Sequence, residues 1–259
     1  MKKRGRPSTK NVTYVPSVIN FDQITKLKDI NIDPKMMETM KSGLMIDDLL
    51  STEGGIPCAS NYMMIGDPGV GKTTVLLDFI SSVQLKHPTR KCLFISGEMG
   101  KKQMFKYTQR FPQFGQIQTL FMSDYLEHNT KDVIEGVMNM GWDLILIDSI
   151  AEIIDDVRTD MGWDRKTAES WLVDVCTQNN KGNNSTSKYT SFMLIQQVTK
   201  AGDFAGSNRL KHMTEAMCHL ERIKDSDSRK IYFSKNRDNN IDMSITYRIG
   251  LNQVEYSLE

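Results

Sequence analysis

The feature that most constrains the fold of this chain is the stretch GDPGVGKT at residues 66 to 73. It fits the pattern G-x-x-x-x-G-K-[ST] at every fixed position. The short apolar run Asn61–Ile65 precedes it and predicts a buried strand, and Thr74–Ile80 follows it with apolar residues at helical spacing. A strand, a glycine-rich loop and a helix in this order indicate an α/β fold with a phosphate-binding loop, here called the P-loop.

The residue types of the P-loop explain how it binds a nucleoside triphosphate. Its glycines let consecutive backbone N–H groups point at the β-phosphate, and the following helix adds its positive dipole end. Lys72 is expected to reach the β- and γ-phosphates, and the Thr73 hydroxyl to ligate Mg²⁺. A chance glycine-rich turn is the alternative, which the flanking strand and helix disfavour. The predicted ATP-binding residues are Gly66, Asp67, Pro68, Gly69, Val70, Gly71, Lys72, Thr73 and Thr74.

Composition limits the class of protein. The 259 residues carry a net charge of +1, which argues neither for nor against a polyanionic partner. No C-x-x-C pair is present, so neither a zinc site nor a disulfide framework is indicated. The four scattered cysteines are Cys58, Cys92, Cys176 and Cys218. With no signal peptide and no long apolar span, we expect no membrane partner and a reducing cytosol, either bacterial or that of a phage-infected cell.

The first ten residues, MKKRGRPSTK, differ from the rest because they carry five basic residues and no acidic one. They cannot form a core, so we expect a disordered basic tail at residues 1 to 20 and an ATPase core at residues 21 to 259. Arg4-Gly5-Arg6-Pro7 looks like the centre of an AT-hook, which makes Arg4 and Arg6 candidate DNA-binding residues. The favoured alternative is a solvated basic tail, since four residues make a weak motif.

Beyond the P-loop, apolar runs alternate with segments of helical spacing. The predicted strands are Cys92–Ser96, Thr119–Met122, Leu144–Ile147 and Ser191–Ile195. The predicted helices are Lys101–Phe111, Lys131–Met140 and Arg165–Gln178. Beyond Asp225 come the short predicted strands Lys230–Ser234, Met243–Ile249 and Gln253–Tyr256. This order predicts a mostly parallel, twisted sheet flanked by helices, with an antiparallel C-terminal extension.

Two acidic residues lie at predicted strand ends, where ligands bind in open α/β sheets. Asp148 follows Leu144–Ile147 and is expected to hold Mg²⁺ through water, the Walker B role. The alternative is a helix-capping aspartate. Glu98 follows the strand that we expect beside the P-loop strand, and it is a candidate general base for the water that attacks the γ-phosphate. An exposed loop glutamate is the alternative.

Gln196 and Gln197 end the predicted strand Ser191–Ile195. A glutamine at this position can hydrogen-bond the γ-phosphate or its attacking water, and Gln197 is therefore a candidate catalytic residue that senses nucleotide. The alternative is a pair of surface amides.

Several segments together resemble the RecA-type core and, within it, the RadA/Sms branch of recombination ATPases. Gly54–Pro57 resembles that family's lead into the P-loop, Ile95–Glu98 its strand bearing the catalytic glutamate, and Asp148–Ile150 its Walker B ending. VTKAGDFAG at residues 198 to 206, followed by LKHM at 210 to 213, is similar to its V-T-K-x-G-x-x-A-G…L-x-H-M segment. DnaB-type replicative helicases share the core.

The carboxyl-terminal motif matches in part. Lys235, Asn236 and Arg237 match the first three residues of the family's K-N-R-F-G motif, whereas Asp238 and Asn239 replace its last two. No counterpart of the family's four-cysteine zinc module or Lon-like domain is present in the sequence. The chain therefore resembles the central part of the family.

The resemblance implies a homo-oligomer, such as a hexameric ring, with ATP bound between subunits. Lys235 and Arg237 would then reach a neighbour's γ-phosphate and act in catalysis. The alternative is a basic strand end that makes surface salt bridges.

The resemblance also implies a flexible basic loop that grips single-stranded or branched DNA. Lys200, Arg209 and Lys211 are its candidate DNA-binding residues. A recombinase, a loader or a primase would be the partner. A DnaB-like replicative helicase and a KaiC-like regulatory ATPase that acts on proteins remain the alternatives.

Overall fold

A computed structural model of the chain describes residues 24–197 and 207–258, with Gln197 described by its backbone alone. The chain divides into two units, Met1–Asp33 and Pro34–Glu259. In the described part of the first unit there is a short 3-10 turn, Leu27–Asp29. The predicted tail at residues 1 to 20 lies outside the described residues.

The second unit contains eleven strands and seven α-helices within the described ranges. The strands are β1 (Thr39–Met40), β2 (Ile56–Pro57), β3 (Asn61–Gly66), β4 (Cys92–Ser96), β5 (Gln118–Phe121), β6 (Leu144–Asp148), β7 (Ser191–Gln197), β8 (Ala216–Arg222), β9 (Arg229–Asn236), β10 (Ser244–Ile249) and β11 (Val254–Leu258). The helices are α1 (Asp47–Leu50), α2 (Lys72–Lys86), α3 (Lys101–Arg110), α4 (Thr130–Asn139), α5 (Ile150–Met161), α6 (Arg165–Asn180) and α7 (Asn208–Met213).

Nine of these strands form one sheet, in the order β11-β10-β9-β8-β3-β7-β6-β4-β5. Neighbouring strands in the series β8-β3-β7-β6-β4-β5 are parallel. The strands β9, β10 and β11 continue the sheet with antiparallel pairing. The fold class predicted from the sequence is confirmed.

The sheet separates two apolar cores because alternate side chains of its central strands point to opposite faces. On β3, Tyr62 and Met64 pack into the core that contains residues of α2. Met63 and Ile65 pack into the other core, with residues of α4, α5 and α6. Central strands covered on both faces are apolar throughout, which explains the continuous apolar runs in the sequence.

The predicted position of the Glu98 strand is wrong. We expected β4 beside β3, but β3 pairs with β7 and β8, and β4 pairs with β5 and β6. The chain passes over two strand positions after β3, and β6 and β7 fill them later in the sequence. The helix α5 and the strand β8 were not predicted, and neither was α7 within the segment expected to be a basic loop.

Candidate nucleotide-binding site

The P-loop connects the end of β3 at Gly66 to the start of α2 at Lys72. Gly71 has a φ of 98°, in the left-handed region that side chains disfavour. A Cβ atom on Gly66 would lie 2.4 Å from the backbone oxygen of Leu220 on β8. Gly66 is therefore required by the close approach of a neighbouring strand, and Gly71 by the turn of the loop itself.

The Lys72 side chain lies against the backbone of its own P-loop. Its buried ammonium group donates hydrogen bonds to the backbone oxygens of Gly66 (2.6 Å) and Asp67 (3.0 Å). Burial lowers the pKa of Lys72, although the negative charges of Asp148, Glu98 and Asp67 oppose that shift. The lysine side chain is held against its own loop, and its contact with the β- and γ-phosphates stays a prediction.

Thr73 and Asp148 form the direct link between the P-loop and β6. The Thr73 hydroxyl donates a hydrogen bond of 2.5 Å to the Asp148 carboxylate. Burial raises the pKa of Asp148 to about 6; Glu98 adds to the rise, whereas the bond from Thr73 and the charge of Lys72 oppose it. A hydroxyl and a carboxylate oxygen are ligands that Mg²⁺ prefers, so the pair fits the predicted metal-binding role.

Glu98 shares a cavity of about 180 Å³ with the P-loop and Asp148. Backbone N–H groups of Gly97 (2.7 Å) and Glu98 (3.3 Å) donate to the Asp148 backbone oxygen, which fixes the end of β4 against the end of β6. The lining residues are Pro68, Gly69, Gly71, Lys72, Thr73, Thr74, Glu98, Tyr107, Asp148 and Ile195. The structure therefore brings together predicted phosphate, metal and general-base residues, and adds Tyr107 and Ile195.

Gln197 is paired with Gly66 in the register of β7 and β3. Its backbone therefore lies beside the start of the P-loop. Its side chain lies outside the described part of the structure, so its role as a nucleotide sensor stays a prediction.

Lys235 lies level with the middle of β3 and Arg237 level with its start, both away from the P-loop of their own chain. Lys235 pairs with Met217, which pairs with Met63, three residues or about 10 Å along β3 from Gly66. The Lys235 ammonium group donates to the backbone oxygens of Lys211 (3.0 Å) and Thr214.

Arg237 lies further still from its own P-loop. Its backbone N–H donates to Glu215, and the Glu215 N–H donates to Asn61 at the start of β3. Arg237 is exposed. These residues are not part of the ATP site of their own chain.

The candidate DNA-binding residues are only partly described. Arg209 and Lys211 lie on α7, which begins with Ser207 as its N-cap, so this part of the predicted flexible loop is a helix. The Ser207 hydroxyl accepts the Leu210 N–H, which favours the helical turn. Arg209 forms an ion pair of 2.6 Å with Asp174 on α6, and both side chains are at least half exposed. The candidates Arg4, Arg6 and Lys200 lie outside the described residues.

Two residues that the sequence did not reveal contact the outer side of the P-loop. Arg222, at the end of β8, donates to the backbone oxygen of Gly69 (2.9 Å). Tyr247, on β10, donates to that of Val70 (2.8 Å). Both lie more than 150 positions from the loop in sequence, and no local pattern marks them.

Curated relatives of this chain are named DNA repair protein RadA. The protein from Streptococcus pneumoniae is 31% identical over 189 residues, or 71% of this chain and 41% of the relative. The protein from Rickettsia bellii is 27% identical over 235 residues, or 89% of this chain and 48% of the relative. The chain has a RecA-like core related to RadA. It spans less than half the length of these relatives.

Solved structures show the same fold. A KaiC-like protein from Pyrococcus horikoshii superposes with a TM-score of 0.63 at 16% identity, over 85% of this chain and 99% of that one. The RadB recombinase superposes with a TM-score of 0.60 at 16% identity, over 83% and 98% of the two chains. No protein-family model matches the chain.

None of the helices in residues 24–197 and 207–258 combines the length and the apolar character needed to cross a bilayer.

Proposed function

We propose that the chain is an ATP-hydrolysing DNA motor of the RecA/RadA type, which assembles with copies of itself. It couples ATP hydrolysis to translocation on, or remodelling of, single-stranded or branched DNA in recombination, repair or replication. The observation that carries this proposal is the cavity shared by the P-loop, Asp148 and Glu98. The name of the relatives, DNA repair protein RadA, supports DNA as the substrate of the motor.

The residues of the cavity divide the work of hydrolysis. Backbone N–H groups of the P-loop and the Lys72 ammonium group bind and orient the phosphates of ATP. Thr73 and Asp148 would hold Mg²⁺, which when bound would supply positive charge beside the phosphate oxygens. Glu98 accepts a proton from the attacking water or holds that water in line with the γ-phosphate.

A second copy of the chain completes the site in this proposal. Lys235 and Arg237 lie too far along the sheet to reach the nucleotide of their own chain, which supports a role at the nucleotide of a neighbouring subunit. A positive side chain placed there in trans stabilises charge that develops in the transition state, worth roughly 10³–10⁵ in rate. A closed ring, such as a hexamer, gives every subunit one such neighbour.

Nucleotide-dependent binding of DNA would provide the output of hydrolysis. Lys200, Arg209 and Lys211 are the proposed contacts to the DNA backbone. The helix α7, which carries Arg209 and Lys211, directly precedes β8, and β8 ends at Arg222 against the P-loop. One continuous segment of chain therefore joins the proposed DNA contacts to the nucleotide site.

ATP hydrolysis with and without single-stranded DNA, joined to unwinding of forked and branched duplexes, tests the function. We expect Mg²⁺-dependent hydrolysis that DNA stimulates severalfold and that Lys72→Ala abolishes. Hydrolysis that DNA leaves unchanged would contradict the motor and favour a regulatory ATPase that acts on proteins. Unwinding of forks by the protein alone would favour a replicative helicase, and absence of hydrolysis would contradict the proposal altogether.

A further inference from the structure

We propose that Tyr247 and Arg222 are positioning residues of the nucleotide site, which hold the P-loop in its phosphate-binding shape from the outside. The inference rests on the proposed function insofar as the P-loop must bind nucleotide. It assigns part of the site to the strands β8 and β10, whereas the P-loop motif itself lies between β3 and α2.

Planarity of the peptide bond is the physical basis. In a trans peptide, the carbonyl of one residue and the N–H of the next point in opposite directions. The Gly71 N–H group can therefore face a phosphate only if the Val70 carbonyl faces outward. The Val70 N–H donates to the Asp67 backbone oxygen (3.3 Å), so the Gly69 carbonyl of the same peptide points away from Asp67. An outward carbonyl that is removed from water needs a donor, because an unpaired backbone oxygen is costly.

The structure supplies a donor for the buried Val70 carbonyl and another for the exposed Gly69 carbonyl. The Arg222 guanidinium donates to Gly69 at 2.9 Å, and the Tyr247 hydroxyl donates to Val70 at 2.8 Å. Lys72 occupies the Gly66 and Asp67 oxygens from the other side. The loop is thus fixed at its outer side by side chains from the C-terminal strands.

Tyr247 is suited to this role because burial restricts the orientation of its side chain. It is 1% exposed, and the Arg229 guanidinium lies 5.9 Å from the centre of its ring. Two residues further along β10, Ile249 lies against Gly71, where a Cβ atom would be 2.3 Å from the Ile249 side chain. The strand β10 therefore supports the loop at both Val70 and Gly71.

Arg222 offers an independent contact that is exposed to solvent. Its neighbour across the ladder is Arg229, and two like charges opposite each other disfavour pairing of the strands. Pairing with Arg229 gives no reason for an arginine at this position, whereas the hydrogen bond to the Gly69 carbonyl does. Removal of the exposed Arg222 side chain is not expected to disturb the core. Arg222→Ala therefore tests the inference even if Tyr247→Phe does not fold.

Calorimetric titration of the full chain with Mg²⁺ and ADP, without DNA, tests the inference. We expect Tyr247→Phe and Arg222→Ala each to weaken ADP binding about fivefold, the effect of one lost hydrogen bond. The matched control for the first is Tyr256→Phe, because the Tyr256 hydroxyl donates to Asp78 on α2 (3.1 Å) and not to the loop. The control for the second is Arg248→Ala, whose guanidinium contacts Ser228.

The outcomes separate the inference from the function on which it rests. Unchanged ADP affinity in both Tyr247→Phe and Arg222→Ala, with a wild type that binds ADP, would overturn the inference. An equal loss of affinity in Tyr256→Phe and Arg248→Ala would also overturn it, because a general structural effect would then explain the result. A wild type that binds no ADP would instead contradict the proposed function.

Discussion

Thr73 and Asp148 are 75 positions apart in sequence, and their side chains meet in a hydrogen bond of 2.5 Å. The contact joins the first turn of α2 to the end of β6, so the phosphate-binding and carboxylate groups of the site form one unit. The same end of β6 accepts N–H groups from Gly97 and Glu98. Three segments of the chain therefore converge within one cavity.

Replacement of Thr73 tests its role as a metal ligand. Thr73→Ala removes the hydroxyl, and we expect ATP turnover at saturating Mg²⁺ to fall roughly a hundredfold, since metal stabilisation of the transition state is worth several kcal/mol. Thr73→Ser keeps the hydroxyl and is expected to retain most of the turnover. Steady-state hydrolysis over a Mg²⁺ series measures both variants, and equal turnover in the alanine variant would contradict the assignment.

Glu98→Gln tests the general base. The substitution preserves shape and removes the proton acceptor, so turnover should fall by roughly 10²–10⁴ while ATP binding changes little. Glu152→Gln is the matched control because Glu152 is a nearby acid on α5 that does not line the cavity. Single-turnover hydrolysis and ATP titration give the two readouts. If Glu152→Gln lost as much turnover as Glu98→Gln, the specific role of Glu98 would be refuted.

The ion pair between Arg209 and Asp174 gives a two-sided test of DNA binding. An exposed pair contributes about 0–1 kcal/mol to stability, so either residue can be replaced without unfolding the chain. Arg209→Ala should weaken single-stranded DNA binding and reduce the salt slope by about one. Asp174→Ala frees the guanidinium and should strengthen binding. Identical affinities and slopes in wild type and both variants would exclude Arg209 as a phosphate contact.

Asp143 connects the start of β6 to two surrounding segments through Arg90 (3.0 Å) and Lys188. Burial acts to raise the pKa of Asp143, but hydrogen bonds from Lys188, the Lys91 backbone and Arg90 outweigh it and hold the pKa below its usual value. Asp143→Asn should lower the free energy of unfolding by about 2 kcal/mol at pH 7. This is less than for a fully buried pair, because the side chains of Arg90 and Lys188 are 25% and 27% exposed.

The direction of the pKa shift fixes the pH dependence of that loss. A carboxyl group whose pKa is lowered on folding stabilises the native state fully above the unfolded pKa of about 3.9, and progressively less as the pH falls through the folded pKa. Urea unfolding from pH 7 to pH 3 should therefore show the difference between wild type and Asp143→Asn shrinking below about pH 4. A difference that grows in acid would have the wrong sign.

Local sequence was sufficient for the parts of the site that are contiguous in the chain. The P-loop, the aspartate that ends β6 and the glutamate after β4 each follow a short apolar run, and each lies at the carboxyl end of its strand. The helix α5 could also have been predicted, because Ile150, Ile153, Ile154 and Val157 have the spacing of one helical face and are all buried.

Other features depend on contacts that no local pattern encodes. The order of the parallel strands follows from crossovers, and for that reason β4 could not be placed relative to β3. Arg222 lies 153 positions from Gly69, and Tyr247 lies 177 from Val70. Arg222 ends one short strand, and Tyr247 lies within another. Nothing in the local sequence of either residue links it to the P-loop.

Subunit mixing tests directly whether the ATP site is shared between two copies of the chain. Lys72→Ala should lose ATP binding, and Arg237→Ala should keep ATP binding and lose turnover. An equal mixture of the two inactive variants, reassembled together, should recover about a quarter of wild-type turnover, because an intact P-loop then meets an intact Arg237 at about one interface in four. A mixture that stays as inactive as its components would contradict a site completed by a neighbouring subunit.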